Sequence, residues 1–461
     1  MKLVILGAGP GGYVAAIRAA QLGADVSIIE KEEVGGTCLN KGCIPTKTIL
    51  ASSNAYARAR DLSDFGIDIK GDIAPDMKKI VERKDRIVST QIKGIRSLLK
   101  SWNIDNIPGH GKFISSDEIR VLAPNGSEET IKADSFIIAT GSRPAGIDTL
   151  PFDGLNIISS TEALSLTKVP ESILIVGAGV IGCEFAFMFR ELGSNIIMVE
   201  RFPRALSTED ESVSKLLERE LKKRKIKLLT DVKVDSISIK DRRVVSSLSN
   251  GSQLTTSKLL VSIGRSLNSD DIGIENTGIE IGERGEILTD DKMQTNVKNI
   301  FAVGDVTGGA MLAHVASNQG IVAAENIMGH DRRFDGSVIP WVIFTSPEIA
   351  SVGLREHEAR DKGIDYIIGE FQFRGLGKAH AMGEIAGFIK IVVEKDTDLV
   401  LGAHIVGPHA SDLIHECALA IHKHIKAKDI ARMIHAHPTL SEGLVEAAED
   451  AYGTAIHAPR K

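Results

Sequence analysis

The chain opens on a short apolar run, residues 2–6, that is followed at once by a glycine-rich turn. An apolar run bounded by a turn is typical of a buried parallel strand. An alanine-rich helical pattern comes next, and a second apolar run, residues 24–29, ends at Glu30. This order predicts a strand–turn–helix–strand unit with an acidic residue at the end of its second strand.

The turn of this unit has the spacing GxGxxG, which is a phosphate-binding fingerprint when a strand precedes it and a helix follows. Gly7 permits the tight turn, Gly9 lets the backbone approach a pyrophosphate, and Gly12 lets helix and strand pack closely. Glu30 is placed to accept a hydrogen bond from a ribose hydroxyl group. Together these residues predict a dinucleotide-binding site.

The same unit occurs again at one constant offset of 170 residues. The counterparts at that offset are Gly177, Gly179, Gly182, Gly193 and Glu200. Five matches at one offset indicate a structural duplication, and therefore a second bound dinucleotide. A carboxylate at the ribose repels a 2′-phosphate, so Glu200 favours NAD over NADP, although an arginine such as the neighbouring Arg201 sometimes accepts that phosphate.

Three further apolar runs predict the connections between these units. Residues 136–144 and 259–268 each resemble a buried strand that ends in a glycine turn, and each would return the chain to the other unit. Residues 300–303 form an apolar strand that leads into Gly304 and Asp305. An aspartate at the carboxyl end of a strand can bond a sugar hydroxyl of a cofactor, and capping the following segment is its alternative role.

The pattern changes from about residue 340, where apolar runs alternate with turns as in an antiparallel sheet. Helical patterns then close the chain. The fold class expected from the whole sequence is α/β, with two Rossmann-like dinucleotide-binding domains followed by a C-terminal α+β domain.

Composition narrows the function further. The chain has 461 residues, a net charge of −6 and no basic stripe, so binding to nucleic acid is not expected. No run of about 18 apolar residues occurs, so a membrane span is not expected either. Four cysteines in a chain of this length do not form a disulfide scaffold, and we expect a reducing, cytoplasmic location.

Residues 35–47, GGTCLNKGCIPTK, contain two cysteines separated by four residues. Pro45 suits the first turn of a helix, and the positive field at a helix N-terminus stabilises a thiolate. Because a thiolate attacks disulfides, Cys38 and Cys43 are interpreted as a redox dithiol that alternates between open and bridged states. Zinc binding would need a second pair of ligands at matching spacing, so no metal is expected. Two inert core cysteines are the remaining alternative.

The closing stretch, HAHPTLSE, offers a base for this dithiol. His437 precedes Pro438, which restricts the local backbone, and Glu442 lies within reach of the same segment. A carboxylate bonded to an imidazole fixes its tautomer and raises its basicity. His437 is therefore a candidate general base for a substrate thiol, whereas His435 and His415 are expected to be structural or exposed.

These motifs, in this order, give essentially the whole chain a resemblance to the flavin disulfide reductase family. GGTCLNKGCIPTK and HAHPTLSE are its most specific parts. The resemblance implies FAD at the first glycine loop and NAD at the second. It also implies oxidation of protein-bound dihydrolipoamide, with reduction of NAD⁺ to NADH, through a Cys38–Cys43 disulfide.

The resemblance implies individual roles. Cys38 would exchange with the substrate dithiol, and Cys43 would form a thiolate beside the flavin. Lys47 would approach flavin N5 and pair with Glu184. Further cofactor-binding residues implied by the resemblance are Gly36, Thr37, Lys47, Thr140, Gly141, Gly264, Gly304, Asp305, Met311, Leu312, Ala313 and His314.

Domains and partners are implied as well. The chain would form a homodimer, in which His437 and Glu442 of one subunit serve as acid–base dyad for the cysteines of the other. Lipoyl-carrying proteins of 2-oxo acid dehydrogenase or glycine cleavage complexes would be its partners. The expected division is an FAD domain at 1–142, an NAD domain at 143–267, a central segment at 268–338 that rejoins the FAD domain, and a dimerisation domain at 339–461.

Two other functions stay open at this point. A related NADH-dependent flavoprotein could reduce another disulfide, a quinone or a metal ion. A mainly structural subunit of a multienzyme complex could share the fold. One departure from the family pattern is Leu267 before Asn268, where the family usually has proline, and we expect it to loosen a turn near the boundary of the NAD domain.

Overall fold

The computed structural model describes residues 1–459, and its N-terminal part is built on a parallel sheet in which β1 lies between β2 and β7. The predicted strand–turn–helix–strand unit is confirmed, with a second strand that begins at Asp25. A separate antiparallel sheet contains β4, β5 and β6. The elements are β1 (Lys2–Leu6), α1 (Pro10–Gln21), β2 (Asp25–Glu30), α2 (Gly36–Lys41), α3 (Cys43–Arg60), α4 (Met77–Ser101), β3 (Asp105–Pro108), β4 (His110–Phe113), β5 (Glu118–Leu122), β6 (Glu128–Lys132), β7 (Ser135–Ile138) and β8 (Ser142–Pro144).

The region after the cysteines contains two helices, α3 and α4, with a break between them. Gly66 takes the left-handed conformation at the end of a short 3-10 helix, Leu62–Phe65, and this ends the helical path. Asp76 then caps α4 by accepting a hydrogen bond from the backbone N–H of Lys79 at 3.2 Å. The sequence from about 44 to 100, rich in Lys, Arg and Asp, predicts a helical region, and the structure divides it into these two helices.

The second unit repeats the first as a five-stranded parallel sheet in the order β12–β11–β10–β16–β9. Ser172 pairs with Asn195 at the start of β10, as Lys2 pairs with Asp25 at the start of β1. The predicted duplication is therefore confirmed. The elements are β9 (Ile157–Ile158), α5 (Ser160–Ala163), β10 (Ser172–Val176), α6 (Val180–Glu191), β11 (Asn195–Val199), α7 (Glu211–Lys223), β12 (Lys227–Leu229), β13 (Val234–Lys240), β14 (Arg243–Leu248), β15 (Gln253–Thr256), β16 (Lys258–Val261) and β17 (Arg265–Leu267).

A two-stranded antiparallel ladder of β8 and β17 connects the units. Its far end is closed by Asn268, whose side-chain amide donates to Thr140 O at 2.9 Å and whose backbone N–H donates to Gly141 O at 3.0 Å. The Thr140 hydroxyl group donates back to Asn268 O at 2.7 Å. These bonds hold the hinge together although Leu267 replaces the proline of the family pattern.

The chain then returns to the first sheet. Strand β18 (Ile300–Ala302) pairs in parallel with β7, and a short 3-10 helix, Gly304–Thr307, leads on towards α8 (Ala313–Ile327). Helix α8 crosses α1 so closely that a Cβ on Gly320 would lie only 2.4 Å from Gly11 O. This crossing places the start of α8 beside the first glycine loop.

The last part of the chain is an antiparallel sheet in the order β19–β20–β23–β22–β21 with helices packed on it, as the pattern after residue 340 predicts. Strand β21, with the sequence YIIGEFQ, was not among the predicted runs, because Gly369 and Glu370 interrupt its apolar residues although four of the seven are strong strand formers. The confirmed fold class is α/β. The elements are β19 (Trp341–Ile343), β20 (Glu348–Gly353), α9 (Glu356–Asp361), β21 (Tyr366–Gln372), α10 (Gly377–Met382), β22 (Phe388–Glu394), β23 (Val400–Gly407), α11 (Ala410–His422), α12 (Ala427–Arg432) and α13 (Glu442–Asp450).

A buried ion cluster ties the antiparallel sheet to the second dinucleotide unit. The Lys390 ammonium group on β22 donates to Asp210 at 2.9 Å and to Glu356 at 2.5 Å. The Lys390 and Asp210 side chains are only 4% and 2% exposed. Ser351 on β20 adds a hydrogen bond to Glu209 at 2.7 Å. These contacts fix the orientation of one domain relative to the other.

Replacing Lys390 with methionine is expected to cost about 3–5 kcal/mol of unfolding free energy, because Asp210 would stay buried without its cation. The matched control is Lys395→Met, whose exposed pair with Asp365 at 3.0 Å contributes less than about 1 kcal/mol. Urea unfolding of both variants measures the difference. Equal losses in the two variants would show that the buried cluster adds nothing special.

Candidate active site and cofactor loops

The first glycine loop forms a cradle that side chains would fill. Gly7 has a φ of +104°, and a Cβ on Gly12 would lie 1.9 Å from Gly7 O, so glycine is required at both positions. Within residues 1–459, no side chain caps the N-terminus of α1, which begins at Pro10. Uncapped N–H groups at a helix N-terminus attract an anion. The cradle therefore fits the pyrophosphate of a dinucleotide.

The second glycine loop has the same geometry. Gly177 has a φ of +101°, and a Cβ on Gly182 would lie 2.0 Å from Gly177 O. Helix α6 likewise starts without a side-chain cap from the described part of the chain. Two cradles of one design support two dinucleotides in one chain.

A glutamate at the end of each second strand braces its own loop. Glu30 accepts a hydrogen bond from the backbone N–H of Ala8 at 2.7 Å, and Glu200 accepts one from Ala178 at 2.7 Å. Glu200 also accepts from the Phe202 N–H at 2.9 Å. Both carboxylates thus stand fixed beside the loops, where their predicted contact with a ribose would be made.

The position of Arg201 bears on the choice between NAD and NADP. Its guanidinium group lies over the ring of its neighbour Phe202, 4.6 Å from the ring centroid. This contact holds the Arg201 guanidinium group on the Phe202 ring. The Glu200 carboxylate, in contrast, is hydrogen-bonded to the loop itself. The arrangement favours a ribose that carries hydroxyl groups over one that carries a 2′-phosphate.

We expect Glu200→Gln to reduce the preference for NAD⁺ over NADP⁺ by about fivefold or more, because like charges a few ångström apart repel by at least about 1 kcal/mol. The ratio of kcat/KM for the two coenzymes measures this change. Glu171→Gln, which alters an exposed carboxylate paired with Arg243 at 2.7 Å, is the control. An unchanged ratio in Glu200→Gln would remove this residue from coenzyme selection.

The two cysteines of the dithiol stretch lie on consecutive helices. Cys38 lies within α2, and Cys43 is the first residue of α3, so each is near a helix N-terminus as predicted. Both are free, half-buried thiols that are hydrogen-bonded to each other. The pair is therefore close enough to exchange an open form for a bridged one.

Their hydrogen bond gives the two sulfurs different acidities. Donation from Cys38 lowers the pKa of Cys43 to about 7, against the effect of burial and with help from the Lys47 ammonium group. The same bond raises the pKa of Cys38 far above its usual range. In the reduced pair, Cys43 is thus the sulfur that ionises near neutral pH, while Cys38 keeps its proton.

The dithiol stretch packs directly on the first glycine loop. Gly36, at the start of α2, has a φ of +58°, and a Cβ there would lie 2.6 Å from the Cα of Gly9. The hydroxyl group of Thr37 donates to Ser142 O at 3.4 Å. A cofactor held in the first cradle would therefore lie beside the cysteines.

Lys47, one turn after Cys43, forms an ion pair with Glu184 of α6. The ammonium nitrogen lies 2.9 and 2.8 Å from the two carboxylate oxygens, and Glu184 is 3% exposed. Phe344, just after β19, donates its backbone N–H to the same carboxylate at 3.0 Å. The structure thus brings together the predicted pair and adds a residue that the sequence did not reveal.

Asp305, predicted to bond a sugar hydroxyl, is held by the connecting ladder. The Ser142 hydroxyl group donates to its carboxylate, and the Arg265 Nε lies 3.7 Å from it. Gly304 donates its backbone N–H to the Gln319 side chain at 2.8 Å. Sequence reasoning missed Ser142 and Arg265, although both lie on the twin crossovers next to Gly141 and Gly264, which were the available signal.

The stretch Met311–His314 leads into α8. Leu312 precedes this helix in an extended conformation, and Ala313 is its first residue. The His314 ring bonds Pro340 O at 3.0 Å, and burial lowers its pKa. Ser317 on the same helix donates to Pro10 O at 3.4 Å, so this stretch lies next to the first cradle.

His437 forms the predicted pair with Glu442, at 2.8 Å from Nδ1 to Oε1. Burial opposes ionisation of Glu442, but the Thr439 N–H and the His437 imidazole together lower its pKa. The imidazole is 77% exposed, and among residues 1–459 it bonds Glu442 rather than a cysteine. His435 is nearly buried and bonds Glu416 at 3.0 Å, which fits the structural role expected for it.

Neither a metal site nor a membrane-spanning helix occurs among the described residues. Residues 1–459 contain no group of three or more His, Cys, Asp or Glu side chains arranged to hold a metal ion. No helix within the same range combines the length and the apolar character that crossing a bilayer requires.

The chain belongs to the pyridine nucleotide-disulphide oxidoreductase family. Residues 1–320 match the family itself, and residues 339–448 match its dimerisation domain, which supports a homodimer. The finer division at residues 142, 267 and 338 stays a prediction, and residues 460–461 of the last expected domain lie outside the described part.

Curated relatives that match nearly the whole chain are named dihydrolipoyl dehydrogenase. The chain is 45% identical over 458 residues to the dihydrolipoyl dehydrogenase of Chlamydia muridarum, with 99% of this chain and 98% of the relative covered. It is 43% identical over 475 residues to that of Bacillus subtilis, with the same coverage. The length of the match extends from the glycine loops to the C-terminal dimerisation domain.

Solved structures share the fold. LpdA from Mycobacterium tuberculosis superposes with a TM-score of 0.92 at 28% identity, covering 97% of this chain and 99% of that one. RclA, a HOCl-induced flavoprotein disulfide reductase from Escherichia coli, superposes with a TM-score of 0.88 at 26% identity, with the same coverage. The α/β fold with its C-terminal dimerisation domain is thus the fold of the family.

Proposed function

We propose that this protein is an FAD-dependent enzyme that oxidises dihydrolipoamide carried on a protein and reduces NAD⁺ to NADH. The observation that carries the proposal is the hydrogen-bonded Cys38–Cys43 pair, which packs through Gly36 on the first glycine loop. Relatives of 38–45% identity named dihydrolipoyl dehydrogenase support it.

The residues present fit both cofactors. The Gly7–Gly12 cradle, Glu30 and Asp305 would hold FAD, and the Gly177–Gly182 cradle with Glu200 would hold NAD. When bound, FAD would supply the two-electron chemistry that connects the reduced dithiol to hydride transfer to NAD⁺. The chain's own residues supply the acid–base and thiol chemistry.

The first half of the reaction moves a proton and breaks the disulfide. The His437 imidazole, oriented by Glu442, takes the proton of one substrate thiol. The resulting thiolate attacks the sulfur of Cys38 in the bridged pair, a new S–S bond forms, and Cys43 leaves as a thiolate. Cys38 has no S–H to donate while it is in the mixed disulfide, but the Lys47 ammonium group still lowers the pKa of Cys43 and so favours its departure as a thiolate.

The second half closes the product. The second substrate thiol attacks the sulfur that is bound to Cys38, the mixed disulfide breaks, and cyclic lipoamide leaves. Cys38 takes up a proton and becomes the thiol that bonds the Cys43 thiolate. The balance is one dithiol and NAD⁺ consumed for one disulfide, NADH and a proton.

The exposed His437 also indicates how the site is completed. Because its imidazole does not bond the cysteines of its own chain, we assign it to the cysteines of the second subunit of a homodimer. Lipoyl-carrying proteins of 2-oxo acid dehydrogenase or glycine cleavage complexes are the proposed partners. A reducing cytoplasm, where free thiols persist, is the proposed location.

A side-by-side assay tests this function. We expect the purified holoenzyme to oxidise dihydrolipoamide with NAD⁺, and to reduce glutathione disulfide or a quinone with NADH far more slowly. Several substrates are compared because RclA, which shares the fold, is a flavoprotein disulfide reductase that is not named for lipoamide. A clear preference for a quinone, a metal ion or another disulfide would favour a related reductase. Absence of any turnover, with retained binding to a lipoyl domain, would favour a structural subunit.

A further inference from the structure

Phe344 contacts both members of the Lys47–Glu184 pair, by two different interactions. Its backbone N–H donates to Glu184 Oε1 at 3.0 Å. Its ring faces the Lys47 ammonium group, whose nitrogen lies 4.5 Å from the ring centroid. None of the roles assigned above requires this residue, which comes from the C-terminal domain.

The position of Phe344 in the fold restricts its movement. It follows β19, where Ile343 pairs with Ile349 of β20. It packs against an apolar cluster with residues from the N-terminal part, the second dinucleotide unit and the C-terminal domain. Lys47, by contrast, has a long, flexible side chain that is 32% exposed. Without a second contact, the ammonium group could turn towards solvent while keeping one bond to Glu184.

We propose that Phe344 is a positioning residue, which holds the Lys47 ammonium group between its ring and Glu184 and thereby fixes the distance of that charge from the Cys43 sulfur. The proposal rests on the proposed function, in which Cys43 is the thiolate beside FAD. The charges act in opposite directions, since Lys47 favours the Cys43 thiolate and Glu184 disfavours it. A small displacement of the pair therefore changes the acidity of Cys43.

The test uses a Cys38→Ser background, in which Cys43 is the remaining sulfur of the pair. Two readouts follow the Cys43 thiolate against pH: its long-wavelength absorption with bound FAD, and its rate of alkylation by iodoacetamide. We expect Phe344→Leu to raise both midpoints by about 0.5 pH units, because a less fixed Lys47 ammonium group stabilises the Cys43 thiolate less. Phe344→Tyr, which keeps the ring, should leave both midpoints in place.

Phe388→Leu is the matched control, since Phe388 lies in the same apolar cluster and is 3% exposed. An unchanged midpoint in Phe344→Leu, or an equal shift in Phe388→Leu, would overturn the inference. An alkylation shift without any long-wavelength band would uphold the link between Phe344 and Cys43 while it contradicts the proposed function. A long-wavelength band with the same midpoint in Phe344→Leu and Phe344→Tyr would uphold the proposed function and contradict the role of Phe344.

Discussion

Cys38→Ser is expected to abolish dihydrolipoamide turnover, with a loss of about 10⁴-fold or more, because a serine oxygen cannot form the mixed disulfide. The Cys43 thiolate should persist, since the serine hydroxyl group can still donate a hydrogen bond to it. The holoenzyme variant is therefore expected to show a long-wavelength absorption band without any reductant. Steady-state assay and a visible spectrum measure the two effects.

The intensity of this band in Cys38→Ser should depend on pH, in a direction that the pKa of Cys43 sets. The pKa of Cys43 is lowered to about 7, so the thiolate is present above that pH and is protonated as the pH falls through it. The band should fade on acidification and return on neutralisation. Cys417→Ala, which removes a buried thiol of the C-terminal domain, is the control and should leave turnover intact. Full turnover in Cys38→Ser would exclude a dithiol mechanism.

His437→Gln is expected to lower dihydrolipoamide oxidation by about 10²–10⁴-fold, which is the usual contribution of a general base. Reduction of an artificial acceptor by NADH needs no thiol proton and should be largely intact. Glu442→Gln should cause a smaller loss, because an amide keeps a hydrogen bond to His437 at 2.8 Å but loses the charge that stabilises imidazolium. Dihydrolipoamide oxidation and NADH-dependent reduction of the artificial acceptor are measured for each variant.

His330→Gln serves as the histidine control, since this imidazole is exposed and belongs to the loop after α8. It should change neither activity. If His437→Gln lowered both activities equally, the residue would support the fold or the dimer instead of the proton transfer. Mixing inactive His437→Gln and Cys38→Ser subunits should restore about a quarter of activity at most, since only some mixed dimers hold one complete site.

The parts of the fold that depend on local patterns were predictable from the sequence. The two glycine loops, their strands and the terminal glutamates are encoded within about 30 residues, and the constant offset between the units adds an internal check. Pro45 and the cysteines of α2 and α3 likewise follow from helix-terminus chemistry. These features need no knowledge of distant contacts.

The parts that were missed depend on contacts between distant residues. Phe344 meets Glu184 across 160 positions, and Ser142 meets Asp305 across 163. No helical or strand period connects residues at such separations, so only the resemblance to a family linked Lys47 with Glu184. The break between α3 and α4 was missed for another reason, because charged residues continue through it and obscure the turn at Gly66.

The most direct test of the account is an anaerobic titration of the holoenzyme with dithionite, followed by visible absorption. If the Cys43 thiolate lies against FAD, a long-wavelength band will reach its maximum at two electrons per flavin, while the flavin itself is still oxidised. Bleaching of the flavin by the first two electrons, with no such band, would contradict the central claim that the dithiol and the cofactor form one redox unit.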